Sequence, residues 1–207
     1  MNRIQLVFIL ILAAMIPQSA VAQSKVSASA ILSSLRAKMA SAPAVEAVFT
    51  INGGSGPVHG SVILSGSKYT MTTPQMSVWY DGRTQWTMLE NTREVSVTEP
   101  DAAELMAVNP FAILSDHQQH YTARRLADSA GRYRVELVPR DKNSVIKRYI
   151  LFVNQTTGWP SALTVDFDDD RRIEVVIESI AASKAKASST FVFDKKKYPA
   201  AEIIDLR

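Results

Sequence analysis

The chain has 207 residues, of which 46% are hydrophobic, with 23 basic and 20 acidic side chains and no cysteine. The charges are nearly balanced and interspersed, which excludes the basic stripe with interleaved aromatic residues that marks nucleic-acid binding. The lack of cysteine excludes a thiol nucleophile and any stabilisation by disulfides.

Residues 1–22 have the pattern of a secretory signal peptide. Arg3 precedes an apolar run from Leu6 to Ile16, which is too short to span a bilayer, and Ala20-Val21-Ala22 forms a small-residue cleavage site. We therefore expect export, cleavage after Ala22 and a soluble mature protein. No linker-like stretch divides residues 23–207, so they are expected to form a single domain.

A helix is predicted from Ser27 to Ala42, with Ser27 or Ser29 as its N-cap and Pro43 as its end. Its apolar residues recur at spacings that share one helical face: Ile31, Leu32, Leu35 and Met39. This amphipathic pattern predicts that the helix lies on an apolar surface and exposes its other side to water.

Most of the remaining chain alternates apolar and polar residues, as half-buried strands do. Strands are predicted at Val45–Ile51, Gly60–Leu64, Lys68–Thr72, Tyr121–Leu126, Tyr133–Val138, Val145–Asn154, Ser161–Asp166, Arg172–Ile180 and Phe191–Phe193, besides three in the segment from Met76 to Val97. Two short helices are predicted between them, Ala102–Val108 and Phe111–Ser115, each following a proline.

The segment from Met76 to Val97 is predicted to be a three-stranded meander with turns at Asp81-Gly82 and Asn91-Thr92. Asp-Gly is favoured in two-residue type I′ turns, where both central residues have positive φ. Both faces of the meander carry large apolar side chains. An antiparallel sheet with one solvated face would be polar on that face, so we expect something to cover each side of this one.

These elements define the expected fold class. About ten or eleven antiparallel strands are more than a flat open sheet usually holds. We expect a mainly β fold with some helix: a curled, incompletely closed antiparallel β-barrel whose concave face is covered by the helices.

The motifs of catalysis and metal binding are missing from the sequence. His59, His117 and His120 do not have metal-ligand spacing, and no serine stands in a G-x-S-x-G elbow. Asp168-Asp169-Asp170 lacks the glycine and the distal glutamate of an EF-hand loop. We therefore predict no enzyme activity, no cofactor and no bound metal.

Four short motifs follow one another along the chain: the hairpin Asp81-Gly82-Arg83-Thr84-Gln85-Trp86, the strand Glu94-Val95-Ser96-Val97, the helix start Asn109-Pro110-Phe111 and the late Phe191-Val192-Phe193. With the order of elements, they resemble the outer-membrane lipoprotein carrier family, LolA. The resemblance implies a periplasmic monomer that carries acylated lipoproteins from the inner to the outer membrane. Its implied partners are an inner-membrane lipoprotein-releasing transporter and an outer-membrane acceptor.

One departure from the family pattern concerns the lid. Family members carry an Arg beside a Pro before the third strand, and that Arg holds the lid closed. Here the segment reads Ser65-Gly66-Ser67-Lys68-Tyr69, without Arg or Pro, and Lys68 is the nearest basic residue. Lid control by that Arg therefore does not transfer to this chain.

The candidate ligand is the acyl part of a lipoprotein, because a site for acyl chains needs apolar area above all. Candidate cavity and lid residues are Leu32, Leu35, Met39, Phe49, Val62, Leu64, Met71, Trp79, Trp86, Met88 and Phe111. The sequence does not decide which sheet face is concave. A lipid or lipoprotein sensor that signals to a protein partner remains the alternative function, and a lipid hydrolase is a remote third.

Overall fold

The computed structural model describes residues 26–54, 56–101, 105 and 120–207. The predicted signal peptide lies outside the described residues. So do most of the helix predicted at Ala102–Val108 and all of the one predicted at Phe111–Ser115. Within the described part of the chain, no helix is both long and apolar enough to cross a membrane.

The helix α1 spans Ala28–Ser41. The Ser27 hydroxyl accepts a hydrogen bond from the Ala30 N–H at 3.1 Å, so the predicted N-cap is confirmed. The helix ends before Ala42, which is extended because the residue preceding a proline is disfavoured in helical conformation. Ala28, Ile31, Leu32 and Leu35 are the buried residues of α1.

Twelve strands follow, in chain order: β1 Ala44–Asn52, β2 Val58–Ser65, β3 Lys68–Thr72, β4 Met76–Tyr80, β5 Gln85–Leu89, β6 Glu94–Thr98, β7 Tyr121–Arg125, β8 Arg132–Pro139, β9 Ile146–Asn154, β10 Pro160–Phe167, β11 Arg172–Ser183 and β12 Glu202–Asp205. They form one sheet in the order β12-β6-β5-β4-β3-β2-β1-β11-β10-β9-β8-β7. The central β1 pairs with β2 on one side and β11 on the other, which joins the two halves of the sheet.

The mainly β class is confirmed, and the sheet is not closed into a barrel. Two details of the prediction were wrong. The described residues contain twelve strands rather than ten or eleven, and a short 3-10 helix at Ser188–Phe191 replaces the strand predicted to begin at Phe191. The added strand β12 runs parallel to β6, whereas the other neighbouring strands are antiparallel.

The meander at β4, β5 and β6 is confirmed, but its first turn differs from the prediction. Of the two residues predicted to have positive φ, only Gly82 does, at 102°, so this is not a type I′ turn. The Asp81 carboxylate instead accepts hydrogen bonds from the N–H groups of Arg83 and Thr84, each at 2.9 Å. The four residues from Asp81 to Thr84 connect β4 and β5, and the side chain of Asp81 accepts hydrogen bonds as a backbone carbonyl would in a turn.

Candidate functional site

The two faces of the sheet carry separate apolar clusters. We call the face on which α1 packs the helix-side face, and the opposite one the outer face. The helix-side cluster combines α1 with residues from both halves of the sheet, including Phe49, Val62, Tyr69, Val78, Leu137, Tyr149 and Leu151. The outer-face cluster is smaller and consists of Met88, Val95, Phe193 and Ala201, with Trp79, Trp86 and Tyr198 packed against it.

Seven of the predicted site residues meet on the helix-side face. Leu32, Leu35, Phe49, Val62, Leu64 and Met71 are buried there, and Met39 packs against them partly buried. Phe111 lies outside the described residues. The strand residues among them lie on one face because period two places every second side chain on the same side of a strand.

Trp79, Trp86 and Met88 do not belong to this group, which corrects their prediction as members of the same site. Trp79 pairs with Trp86 across β4 and β5, and both project from the outer face. Val78 and Tyr80, which were not among the predicted site residues, flank Trp79 and are buried on the helix-side face. Alternation along β4 places Val78 and Tyr80 on one face and Trp79 on the other. Trp79 was predicted as a site residue because of the large apolar area of its side chain.

The outer-face tryptophans are covered by the end of the chain itself. The Trp79 ring lies edge-on to Phe193 at 5.5 Å and to Tyr198 at 5.6 Å, and the latter two rings stack at 5.5 Å. The segment from Phe191 to Ala201 therefore closes this face over β4–β6 as an ordinary core. This explains why both faces of the meander are apolar.

Polar contacts hold α1 near both of its ends. The Arg125 guanidinium donates to the Val26 carbonyl at 2.6 Å, just before the helix, and pairs with Asp128 at 2.6 Å. Near the other end, the Lys38 ammonium lies 4.8 Å from the centre of the Trp159 ring. Arg125 ends β7 and Trp159 precedes β10, so α1 crosses one end of the second half of the sheet.

A third contact involves the segment in which the family's lid arginine is missing. The Ser65 hydroxyl, at the end of β2, donates to the Pro43 carbonyl at 2.9 Å. Pro43 lies in the two-residue link between α1 and β1. The last residue of β2 therefore contacts the link between α1 and β1. Lys68 begins β3 and is paired with Ser65 across the two strands.

Charged side chains cross the outer face of the second half of the sheet. Glu136 accepts from Arg124 at 2.7 Å and from Arg148 at 3.3 Å, and Asp166 accepts from Arg148 at 2.7 Å and from Arg172 at 2.6 Å. Hydrogen bonding by Arg172, reinforced by Arg148, lowers the pKa of Asp166 despite its burial. We call these five residues the charge ladder.

The charge ladder ends beside a polar pocket of about 320 Å³ lined by Lys147, Arg148, Asp166, Phe167, Asp170, Arg171 and Arg172. Most of its lining charges are already paired within the chain. No group of three or more His, Cys, Asp or Glu side chains within the described part is placed to hold a metal. This pocket is lined mainly by charged side chains, whereas the helix-side face is apolar. Acyl chains therefore fit the helix-side face better than this pocket.

In the described part of the chain, an open twelve-stranded sheet with an amphipathic helix across an apolar face forms a LolA-like fold. The family model described as outer membrane lipoprotein carrier protein LolA matches residues 18–168, which is more than half of the chain. The chain belongs to this family. No curated protein matches it.

The fold is also found among solved structures. An uncharacterized conserved protein from Thermus thermophilus is similar with a TM-score of 0.61 at 7% identity, covering 86% of this chain and 98% of that one. Two weaker similarities accompany it. A LolA superfamily protein from Nitrosomonas europaea has a TM-score of 0.43 at 11% identity, covering 81% and 98%. The Pseudomonas aeruginosa MucA/MucB complex has a TM-score of 0.42 at 14% identity, covering 82% and 62%.

Proposed function

We propose that this protein is a periplasmic carrier that binds the acyl chains of lipoproteins on the helix-side face and carries them from the inner to the outer membrane. The proposal includes export through residues 1–22, a single mature domain over residues 23–207 and action as a monomer. Its partners are acylated lipoproteins, a releasing transporter in the inner membrane and an acceptor in the outer membrane. Family membership supports it.

The observation that carries the proposal is how the two apolar faces are covered. The outer-face cluster is closed by residues that continue into β12, an integral part of the sheet. The helix-side face is crossed by α1, which lies at the start of the described chain and is attached to the sheet through the short link at Ala42-Pro43. Displacing α1 breaks no strand pairing, which supports the helix-side face as the one that opens to lipid in this proposal.

Burying a long acyl chain stabilises the helix-side face at least as much as burying the apolar side chains of α1 does. Each large apolar side chain that α1 buries contributes about 1.5–3 kcal/mol, and the helix has three: Ile31, Leu32 and Leu35. An acyl chain of a dozen CH₂ groups gains about 10 kcal/mol at ~0.8 kcal/mol each. A long chain can therefore replace the contacts of α1, whereas a short one cannot.

Native mass spectrometry tests the carrier function. The protein is purified from its own periplasm, then exposed to a triacylated lipoprotein and to the same lipoprotein lacking its acyl chains. We expect a one-to-one complex with the acylated form alone, and loss of the cargo to membranes that contain the acceptor. A stable complex with a protein partner, without lipid, would instead support the sensor alternative.

The three tryptophans of the chain report which face binds lipid. Trp159 packs on the helix-side cluster, whereas Trp79 and Trp86 pack on the outer-face cluster. Brominated acyl chains quench tryptophan fluorescence at short range. We expect them to quench a variant that retains only Trp159 and to spare the matched variants that retain only Trp79 or only Trp86. The reverse pattern would mean that the outer face binds the lipid.

A further inference from the structure

We propose that the Tyr149 hydroxyl donates a hydrogen bond to the carbonyl of a bound acyl chain, the ester or amide oxygen beside the polar end of the lipid. This inference rests on the proposed function and specifies which atoms of the ligand the helix-side face recognises. Tyr149 would then fix how far an acyl chain enters, which apolar contacts alone do not.

Two large tyrosines on the helix-side face differ in one respect. Tyr69 and Tyr149 are each 2% exposed and each pack against a second tyrosine, Tyr80 and Tyr121 respectively. The Tyr69 hydroxyl donates to the Gln85 side-chain oxygen at 2.6 Å. The Tyr149 hydroxyl is buried without a hydrogen-bond partner among the described residues.

A buried hydroxyl without a partner destabilises a protein, because it has given up its hydrogen bonds to water. The residues paired with Tyr149 on the neighbouring strands are Leu137 and Val165, which offer no side-chain acceptor. A trapped water needs two to four polar partners, and among these side chains only the hydroxyls of Tyr149 and its ring neighbour Tyr121 are polar. A ligand carbonyl entering the face would provide the missing acceptor.

The protonation state of Tyr149 suits a donor. Burial raises the pKa of Tyr149 above its ordinary value, and the nearby Tyr121 raises it further. The hydroxyl therefore keeps its proton throughout the physiological range. The Tyr121 hydroxyl interacts with the Tyr149 hydroxyl and contributes to this shift. A ligand carbonyl would therefore accept the Tyr149 proton in place of the Tyr121 hydroxyl.

The position of Tyr149 on the strand fits the polar end of a lipid. Tyr149 is three residues from Ile146, where β9 begins, which corresponds to roughly 10 Å of extended chain. The other end of β9 lies near Trp159, where Lys38 of α1 makes its contact. A lipid with its carbonyl at Tyr149 would thus place its polar group near the end of the sheet where β9 begins. Its tail would point toward the other end, where α1 lies.

Ester and ether lipids test this assignment, because they differ only in the carbonyl groups. The probes are dimyristoyl phosphatidylglycerol and its ditetradecyl ether analogue, and binding is measured by tryptophan fluorescence with wild type and Tyr149→Phe. We expect the substitution to weaken binding of the ester roughly three- to tenfold, as the loss of one neutral hydrogen bond predicts, and to leave ether binding unchanged. An infrared shift of the ¹³C-labelled ester carbonyl should disappear in the variant.

Tyr69→Phe is the matched control, because it removes a hydroxyl that already has a partner within the protein. Any effect of this control should be equal for the two lipids. If wild type binds both lipids and Tyr149→Phe does not distinguish them, the hydroxyl has no role in recognition and the inference is wrong, while the carrier function stands. If wild type binds neither lipid, the inference fails, while the carrier function is decided separately by native mass spectrometry with the triacylated lipoprotein.

Discussion

The ring of Phe49 lies directly against Gly60, its partner across β1 and β2. A Cβ atom at position 60 would lie 2.6 Å from Phe49 Cζ and 3.0 Å from the Thr72 carbonyl oxygen. The β1 strand has a register irregularity between Val48 and Phe49 on its other side, facing β11. The ring therefore occupies the space that a side chain would fill, near the junction of the two sheet halves.

Gly60→Ala is expected to destabilise the protein by about 1–3 kcal/mol, because the added methyl forces the Phe49 ring out of its position. Urea unfolding measures the change. The double variant Phe49→Leu/Gly60→Ala tests the cause, since a smaller side chain at position 49 should accept the methyl and show coupling between the two changes. Equal stability of Gly60→Ala and wild type would contradict this packing.

Arg125→Lys is expected to loosen α1. Lysine cannot reproduce the planar fork that contacts Val26 and Asp128 together, and the Arg125 side chain is only 16% exposed. The loss of charge-assisted hydrogen bonds should weaken the attachment of the helix by about 1–2 kcal/mol. Hydrogen exchange should show faster exchange of the amides of Ile31–Leu35, and lipid uptake should become faster.

Arg171→Lys is the control for this experiment. Arg171 pairs with Asp169 within one hairpin tip and does not contact α1. Its substitution should leave the exchange of α1 unchanged. Similar exchange rates in both variants would mean that Arg125 does not hold the helix.

Asp166→Asn is expected to destabilise the protein at neutral pH by about 1–3 kcal/mol, because Arg148 and Arg172 lose a buried carboxylate partner. The folded-state pKa of Asp166 is lowered from 3.8. Its contribution is therefore fully present above the unfolded-state pKa and is lost as the pH falls through the folded-state value. The difference in stability between wild type and variant should be constant above about pH 4 and shrink as the pH falls below it.

Chemical unfolding from pH 7 to pH 2.5 measures this dependence. Asp169→Asn serves for comparison, because its carboxylate pairs with Arg171 at an exposed hairpin tip. Screening by water should leave that variant close to wild type at every pH. A gap for Asp166→Asn that persists unchanged at the acidic end would show that the lost charge is not its cause.

Phe193→Ala is expected to cost about 3–5 kcal/mol in stability, because Phe193 is 8% exposed and contacts both Trp79 and Tyr198. Lipid uptake per folded molecule should not change, since these rings lie on the outer face. Thermal unfolding and the native mass spectrometry assay measure the two quantities separately. Phe193→Leu is a milder substitution that can be measured if Phe193→Ala does not fold. Loss of lipid uptake in a folded variant would mean that lipid binds on the outer face.

The local elements could be predicted from the sequence because their signals are local. The apolar spacing of α1, the cap at Ser27 and the alternation in β1 to β11 depend on residues a few positions apart. The predicted borders accordingly lie close to those in the structure. The strand β12 was missed because all four of its residues are exposed and its partner β6 is distant in the chain.

The sequence by itself determined the family, the open mainly β fold and the two alternating sets of side chains along each strand, because periodicity and turn chemistry are properties of short segments. Only the tertiary structure decided which set meets α1 and which is sealed by Phe193 and Tyr198, since period two does not distinguish the faces of a strand. It also decided that Tyr69 has a hydrogen-bond partner and Tyr149 has none among the described residues. Such pairing depends on residues that are brought together from different strands.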